Sequence, residues 1–250
     1  MATEAYFYGN AQIEFPDPRT IDGELIGVGG NLHSSTLIAA YKKGIFPWYS
    51  DDEPLLWWSL DPRFVIFPHR FHVSKSLVKR IRKGTFSLSL DRDFDGVMAC
   101  CAQQPRPGQN GTWITNEMRQ AYGELHRLGY AHSVETWKDG VLVGGLYGVS
   151  LGGCFYGESM FARVSDASKV AFAALLGLLE EAGFGLVDCQ QHTRHLGTFG
   201  AIDTPRNFFL DHLERELEKP TIQGNWNACF PQFPVSTRWQ QWMGEKDFKK

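Results

Sequence analysis

Long apolar runs and paired cysteines are both missing from this sequence of 250 residues. Its longest apolar stretch, VAFAALLGLL at 170–179, falls well short of the roughly 20 residues that a membrane-spanning helix needs. The start, MATEAYFYGN, has no basic residues followed by an apolar segment, so we expect a cytoplasmic protein with no membrane partner. The 5 cysteines lack C-x-x-C spacing, so we predict reduced thiols and no metal site.

Motifs of two common hydrolase classes are absent as well. The chain contains no G-x-x-x-x-G-K-[ST] loop for nucleotide phosphates. Ser159 lies in G-E-S-M-F rather than in G-x-S-x-G, the turn that exposes a nucleophilic serine. The sequence therefore gives no support to nucleotide hydrolysis or to serine hydrolysis.

Basic residues are concentrated in one short segment, although the net charge of the chain is −3. No acid occurs at 62–90, and within this interval HVSKSLVKRIRKG predicts a helix with Ser74 as its cap and Gly84 as its end. A run of charge is usually a solvated face, but beside aromatic loops it favours contact with nucleic-acid phosphates. The candidate phosphate-binding cations are Lys75, Lys79, Arg80, Arg82 and Lys83.

The order of periodic segments predicts an α+β fold. Residues 131–161 are predicted to form three consecutive strands, with the first hairpin turn at Asp139-Gly140. A buried helix follows and leads into the strand LVDCQ, so a βαβ crossover and a mixed sheet are expected. We expect a small N-terminal domain at 1–64, a larger domain at 65–236 and a polar C-terminal tail at 237–250.

The strand LVDCQ carries an acid and an amide two positions apart. Because side chains alternate along a strand, Asp188 and Gln190 are predicted to share one face. One interpretation is a strand end whose polar residues emerge into solvent. The other is a site in which the carboxylate orients the amide, and the amide holds a reacting group.

Two further groups have the same pair of interpretations. In GESMF, Glu158 and Met160 are expected on one face, either as a turn acid beside a core methionine or as part of a site. Trp48 in FPWY and Trp113 in GTWIT lie in loops, where a ring either packs in the core or stacks on a base. Such stacking contributes roughly 1–3 kcal/mol per base.

An ordered series of motifs resembles the leucyl/phenylalanyl-tRNA–protein transferase family over residues 15–235. The motifs are LIGVGGNL, AYKKGIFPWYS, LWWSLDPR, GTWIT, AYGELHRLGYAHSVETW, LVGGLYGV, GESMF, ASK and LVDCQ. The resemblance implies a larger domain similar to GCN5-related N-acetyltransferases and no cofactor. It also implies transfer of leucine, phenylalanine or methionine from aminoacyl-tRNA to the α-amine of proteins with N-terminal Arg or Lys, which marks them for degradation.

The resemblance also assigns expected roles to residues. Gln190 would aim the attacking amine, and Asp188 would either polarise that amide or take the proton. The cations at 75–83 would bind tRNA phosphates. The expected substrate-binding residues are Trp48, Trp113, Leu146, Glu158, Ser159, Met160, Leu175 and Val187.

Two departures bear on the reaction. A methionine is common in the family pattern where this chain has Leu146, which places the balance between leucine and phenylalanine donors in question. The segment QHTRHLGTFGA keeps R-x-x-G but lacks the full glycine-rich loop that binds coenzyme A pyrophosphate, which argues against acetyl-CoA. The alternatives are an acetyl-CoA-dependent N-acetyltransferase and a tRNA-binding module without catalytic activity.

Overall fold

The structure is a computed structural model that describes residues 5–7, 13–50, 52–104, 114–234 and 237–244. It contains a small sheet and a large sheet, with helices on both faces of the large one. The strands are β1 (Ala5–Phe7), β2 (Leu25–Gly29), β3 (Phe46–Pro47), β4 (Leu56–Trp58), β5 (Arg63–Ile66), β6 (Ser87–Leu90), β7 (Ala131–Lys138), β8 (Val141–Leu151), β9 (Cys154–Ala162), β10 (Leu186–Gln190) and β11 (Ile202–Thr204).

The helices cover the sheets and join the strands. They are α1 (Ser34–Lys42), α2 (Lys75–Arg82), α3 (Phe94–Ala102), α4 (Asn116–Arg127), α5 (Ala167–Glu181), α6 (Arg194–Gly197), α7 (Arg206–Leu217), α8 (Trp226–Cys229) and α9 (Thr237–Met243). Within the described ranges, no helix is long and apolar enough to cross a membrane.

The large sheet is mixed, as the order of segments predicts. Its strand order is β11-β5-β10-β9-β8-β7-β6, and the small sheet has the order β1-β2-β4-β3. Strands β9 and β10 are parallel and are connected by α5, which is the expected βαβ crossover. The turn between β7 and β8 has positive φ angles of 52° at Asp139 and 75° at Gly140, as a two-residue hairpin turn requires.

Two hydrophobic cores lie on opposite faces of the large sheet. Alternation along β10 sends Leu186 into the first core, which also holds α1, α3 and the small sheet. Val187 points into the second core, which is built mainly on the apolar side of α5. The fold is therefore α+β, with a small N-terminal unit packed against a large mixed sheet.

The C-terminal segment differs from the expected polar tail. Residues 237–243 form α9, which packs on α2 and α5, and its Trp239 and Trp242 contact the second core. The two tryptophans are three positions apart and so lie on one side of a helix. That apolar side packs against the core, although the residues between the tryptophans are polar. The expected boundary at residue 64 also falls inside β5, which belongs to the large sheet.

Candidate active site

A cavity of about 330 Å³ opens where β9 and β10 stop pairing. The last paired residues are Asp188 and Tyr156, and residues 157–160 and 189–191 beyond them line the cavity. Parallel strands that separate expose backbone and side chains from both faces of a sheet at one point. The site is therefore built from the two strands that the sequence motifs GESMF and LVDCQ occupy.

Gln190 has an unusual backbone conformation at the edge of this cavity. Its φ is 60°, in the left-handed region, and the pairing of β10 with β5 is irregular between Asp188 and Gln190. For a residue other than glycine this conformation costs on the order of 1–3 kcal/mol and is common at functional sites. The Gln190 amide Nε2 donates to Glu158 Oε1 at 3.0 Å, which fixes the side chain.

Asp188 is enclosed and paired with an arginine. Its side chain and that of Arg63 both have 0% exposure. Arg63 donates from Nε to Oδ1 at 2.8 Å and from Nη2 to Oδ2 at 2.6 Å, a bidentate pair. The guanidinium lies 4.6 Å from the ring centroid of Phe46 and 4.8 Å from that of Phe209.

The predicted contact between Asp188 and the Gln190 amide does not form. Asp188 Oδ1 instead accepts the backbone N–H of Gln190 at 2.9 Å, and no hydrogen bond joins the two side chains in the described part of the chain. Both side chains lie on the first-core side of the sheet, as alternation predicts. Asp188 does not line the cavity, so it acts on the conformation of Gln190 and is poorly placed to take a proton.

Glu158 is the carboxylate that faces the cavity. It is 9% exposed and accepts hydrogen bonds from Tyr41 at 2.7 Å and from Tyr122 at 3.2 Å. The two phenol oxygens are also within hydrogen-bonding distance of each other, so one phenol proton is shared between the other phenol oxygen and the carboxylate. Burial and the charge of Glu158 raise the pKa of both tyrosines well above the usual value, so they remain hydrogen-bond donors.

The pKa of the Glu158 carboxyl lies near neutrality. This pKa is raised to about 7, mainly by burial and in part by the negative charge of Asp188. Hydrogen bonds from Tyr41, Tyr122 and Gln190 lower that pKa, because they stabilise the ionised form. A carboxylate with this pKa can exchange a proton at physiological pH.

The apolar wall of the cavity contains most of the predicted side-chain pocket. Leu146, Met160 and Val187 line it, together with Phe155 and Phe172, which the sequence analysis did not select. Leu175 does not reach the cavity and packs in the second core with 0% exposure. Phe172 comes one turn earlier on α5 and takes its place, because residues three apart on a helix lie on the same face.

Of the two tryptophans predicted to bind substrate, only Trp48 lies within the described residues. Trp48 lines the cavity next to β3, and its ring meets Trp58 edge to face at 6.1 Å. Trp58 Nε1 donates to the Trp48 carbonyl at 2.8 Å, so the backbone of Trp48 is held in place. Trp113 lies outside the described residues, and Ser159 lines the cavity beside Glu158.

Helix α2 presents its predicted cations largely to solvent. Ser74 caps the helix by accepting from the Leu77 N–H at 3.3 Å, and Leu77 and Ile81 are buried. Two cations contact other parts of the chain: Arg80 pairs with Asp166 at 3.5 Å, and Arg82 hydrogen-bonds to the Trp242 carbonyl. The exposed ones are Lys75, Lys79, Arg82 and Lys83.

Several residues that build the site were not predicted from the sequence. Arg63, Tyr41 and Tyr122 are the most important, and all three lie inside motifs that carried the family resemblance. His195 also lines the cavity. Over the described ranges, no group of three His, Cys, Asp or Glu side chains is arranged to hold a metal ion.

The cavity combines an apolar wall with a fixed amide and with a carboxylate whose pKa lies near neutrality, so it can hold an apolar group and accept a proton from a bound molecule. The family profile "Leucyl/phenylalanyl-tRNA protein transferase" matches residues 65–214, and the profile of its N-terminal domain matches residues 30–61. The chain belongs to the leucyl/phenylalanyl-tRNA–protein transferase family and is an aminoacyltransferase.

Curated relatives match over most of their length. The leucyl/phenylalanyl-tRNA–protein transferase of Oleidesulfovibrio alaskensis is 53% identical over 86% of this chain and 89% of its own. That of Anaeromyxobacter sp. strain Fw109-5 is 52% identical over 86% of this chain and 92% of its own. The match therefore includes both the small N-terminal unit and the large sheet.

Among solved structures, L-PGS from Bacillus licheniformis aligns with a TM-score of 0.39 and 9% sequence identity. The alignment covers 65% of this chain and 50% of that one. A TM-score this low does not establish a common fold. Similarity of the large domain to GCN5-related N-acetyltransferases stays a prediction.

Proposed function

We propose that this enzyme transfers leucine, phenylalanine or methionine from aminoacyl-tRNA to the α-amine of proteins that begin with Arg or Lys. The product is a new peptide bond at the protein N-terminus, which marks the acceptor for degradation. The observation that carries the proposal is the pairing of Gln190 with Glu158 at the end of an apolar cavity. The family membership and the names of the relatives support the donor class.

The apolar wall fits the donor side chain. Leu146, Met160 and Val187 are aliphatic or thioether side chains, and the phenylalanines at 155 and 172 add flat surface. Such a wall distinguishes similar apolar side chains weakly, by about 1–3 kcal/mol per methylene. We therefore expect the cavity to accept leucine, phenylalanine and methionine side chains.

Trp48 at the cavity would stack on the terminal adenine of the tRNA.

Gln190 would aim the acceptor amine. Its Nε2 is committed to Glu158, so its amide oxygen is the atom left to accept a hydrogen bond from the amine. The ester of aminoacyl-tRNA is already activated, and an α-amine has a pKa of about 7.7–8.0, so an uncharged amine is accessible near neutrality. Fixed orientation of the two reactants then supplies much of the acceleration.

Glu158 would accept the proton that the attacking amine loses. The amine nitrogen bonds to the ester carbonyl carbon, the carbon–oxygen bond to the terminal ribose breaks, and Glu158 passes the amine proton on to the ribose oxygen as it leaves. Glu158 can take the amine proton because its pKa is about 7. Its ionised form also attracts an acceptor whose first side chain is cationic, which favours Arg and Lys.

A transfer assay tests the proposal. Purified protein is incubated with labelled leucyl-tRNA or phenylalanyl-tRNA and a peptide that begins with Arg, and the label in peptide is measured. The matched acceptors are the same peptide with an acetylated N-terminus and the same peptide beginning with Glu. We expect label only in the first peptide. Absence of transfer, or modification of the peptide by acetyl-CoA instead, would overturn the proposal.

A further inference from the structure

A second cavity, of about 400 Å³, adjoins the reaction cavity and has no role in the steps above. His195 lines both cavities, and Thr193 and Leu196 beside it line only the reaction cavity. The start of α6 therefore forms the wall between the two. The second cavity, here called the Arg194 pocket, is lined by Ser74, Leu77, Lys169, Arg194, His195, Thr198 and Phe199.

The polar lining of the Arg194 pocket suits an anion. Lys169 and Arg194 are its two charged lining residues, and no acid is among the residues that line it. Lys169 pairs with Asp166 at 3.0 Å, and the same acid pairs with Arg80 at 3.5 Å. The three cations Lys169, Arg80 and Arg194 thus outnumber the one carboxylate, Asp166. In the described part of the chain Arg194 has no acidic partner, although arginine is well suited to bidentate contact with phosphate.

His195 contributes an unused polar atom. Its Nε2 is buried and has no hydrogen-bond partner among the described residues. Burial lowers the pKa of this imidazole, and the nearby charge of Lys169 lowers it further, so the ring is neutral at physiological pH. A neutral imidazole can donate one hydrogen bond, which an uncommitted buried nitrogen needs.

The charges around the reaction cavity favour a phosphate on the side of the Arg194 pocket. Ser74 in the Arg194 pocket is the cap of α2, so the pocket adjoins the start of that helix, which carries exposed cations, as well as the reaction cavity. At the other side, the loop that follows Trp48 carries exposed Asp52 and Glu53, whose charges repel phosphate. A nucleic-acid strand that enters over α2 therefore meets the Arg194 pocket before the site of transfer.

We infer that the Arg194 pocket binds the 5′-phosphate of the terminal adenosine of aminoacyl-tRNA, with Lys169 and Arg194 as its ligands and His195 as a hydrogen-bond donor. The inference rests on the proposed function, because the aminoacylated ribose must occupy the reaction cavity. The phosphate is attached to that same ribose. It must therefore leave the reaction cavity close by, and His195 marks the shared wall.

The test compares two stable donor analogues that differ only in this phosphate. They are phenylalanyl-adenosine with an amide in place of the ester, and the same compound carrying a 5′-phosphate. Their inhibition constants are measured in the transfer assay for the wild type, Lys169→Ala and Arg194→Ala. Lys138→Ala is the matched control, because Lys138 is an exposed lysine at the end of β7.

We expect the wild type and Lys138→Ala to bind the phosphorylated analogue roughly tenfold more tightly than the unphosphorylated one. This gain in affinity is typical of a charged hydrogen bond. Lys169→Ala and Arg194→Ala should lose most of that preference and bind the other analogue as the wild type does. An unchanged preference in both variants, or equal weakening for both analogues, would overturn the inference.

Coenzyme A provides a further arm, because it also carries phosphates on an adenosine. We expect it to compete poorly, and strong competition that Arg194→Ala abolishes would assign the pocket to coenzyme A instead. Failure of the proposed function gives a different result. In that case the wild type would not transfer phenylalanine from unphosphorylated phenylalanyl-adenosine ester at any concentration.

Discussion

Asp188 and Glu158 are buried carboxylates on neighbouring strands, yet their surroundings differ completely. Asp188 is held by two hydrogen bonds from Arg63, and both side chains are sealed from solvent. Glu158 has no cationic partner among the described residues and is held by two phenols and an amide. Burial raises the pKa of Glu158 to about 7, because nothing of opposite charge offsets the loss of hydration.

Under the proposed function, this difference separates a carboxylate that holds the structure from one that takes part in the reaction. An acid that is paired with arginine through two hydrogen bonds can hold backbone in place, as Asp188 does for the strained Gln190. An acid surrounded by neutral donors can gain and lose a proton while its neighbours stay where they are. In the proposed mechanism, Asp188 therefore positions Gln190 instead of taking the proton, and Glu158 is the proton acceptor.

The largest expected effect comes from breaking the buried ion pair. Arg63→Met leaves Asp188 without its cationic partner in the core, so the free energy of unfolding should fall by roughly 3–5 kcal/mol. Urea denaturation followed by tryptophan fluorescence measures it. The double variant Arg63→Met/Asp188→Asn should recover part of the loss. A double variant less stable than either single variant would contradict the pairing.

Glu158→Gln should lower kcat for transfer by roughly 10²–10⁴, since the proton acceptor is lost while the shape of the side chain is kept. Single-turnover transfer from leucyl-tRNA measures it. Asp188→Asn is the comparison, with rates normalised to folded protein, and it should lose less because Asn can still accept the Gln190 N–H. A larger loss in Asp188→Asn would reverse the two roles.

Gln190→Ala should reduce kcat by roughly 10-fold to 100-fold through loss of a hydrogen bond to the attacking amine. KM for aminoacyl-tRNA should stay near the wild-type value, because the donor is bound by the apolar wall and Trp48. Steady-state kinetics with each substrate varied in turn distinguishes the two constants. A selective rise in the donor KM would mean that Gln190 binds the tRNA end instead.

The smallest expected effect is a shift in pH dependence. Transfer should rise with pH through about 7 as Glu158 loses its proton. Tyr122 lowers the pKa of Glu158 by donating to it, so Tyr122→Phe should move this rise to higher pH, by up to about one unit. Rates of both proteins with the same acceptor are compared, so that titration of the acceptor amine cancels. A shift to lower pH would contradict the assignment.

Local features of the fold were predictable from local sequence. Ser74 and Gly84 marked the ends of α2, and Asp139-Gly140 marked the hairpin, because caps and turns depend on residues close in the chain. The alternation in LVDCQ correctly placed Asp188 and Gln190 on one side of the sheet.

Partners distant in the chain could not be predicted in the same way. Arg63 and Asp188 are 125 positions apart, and Tyr41 and Glu158 are 117 apart, so only the folded sheet brings each pair together. The irregular pairing before Gln190 also has no local signature, and it determines which group the amide meets. The same limit explains α9, whose tryptophans become partly buried only once α2 and α5 are in place.

The most direct test of the account is the protonation of Glu158 itself. Infrared difference spectra of the resting enzyme between pH 5 and pH 9 detect a carboxyl group that loses its proton, and subtraction of the Glu158→Gln spectra assigns it. We predict a carboxyl signal that disappears around pH 7 and is absent from Glu158→Gln. A signal that persists in Glu158→Gln and vanishes in Asp188→Asn would contradict the account.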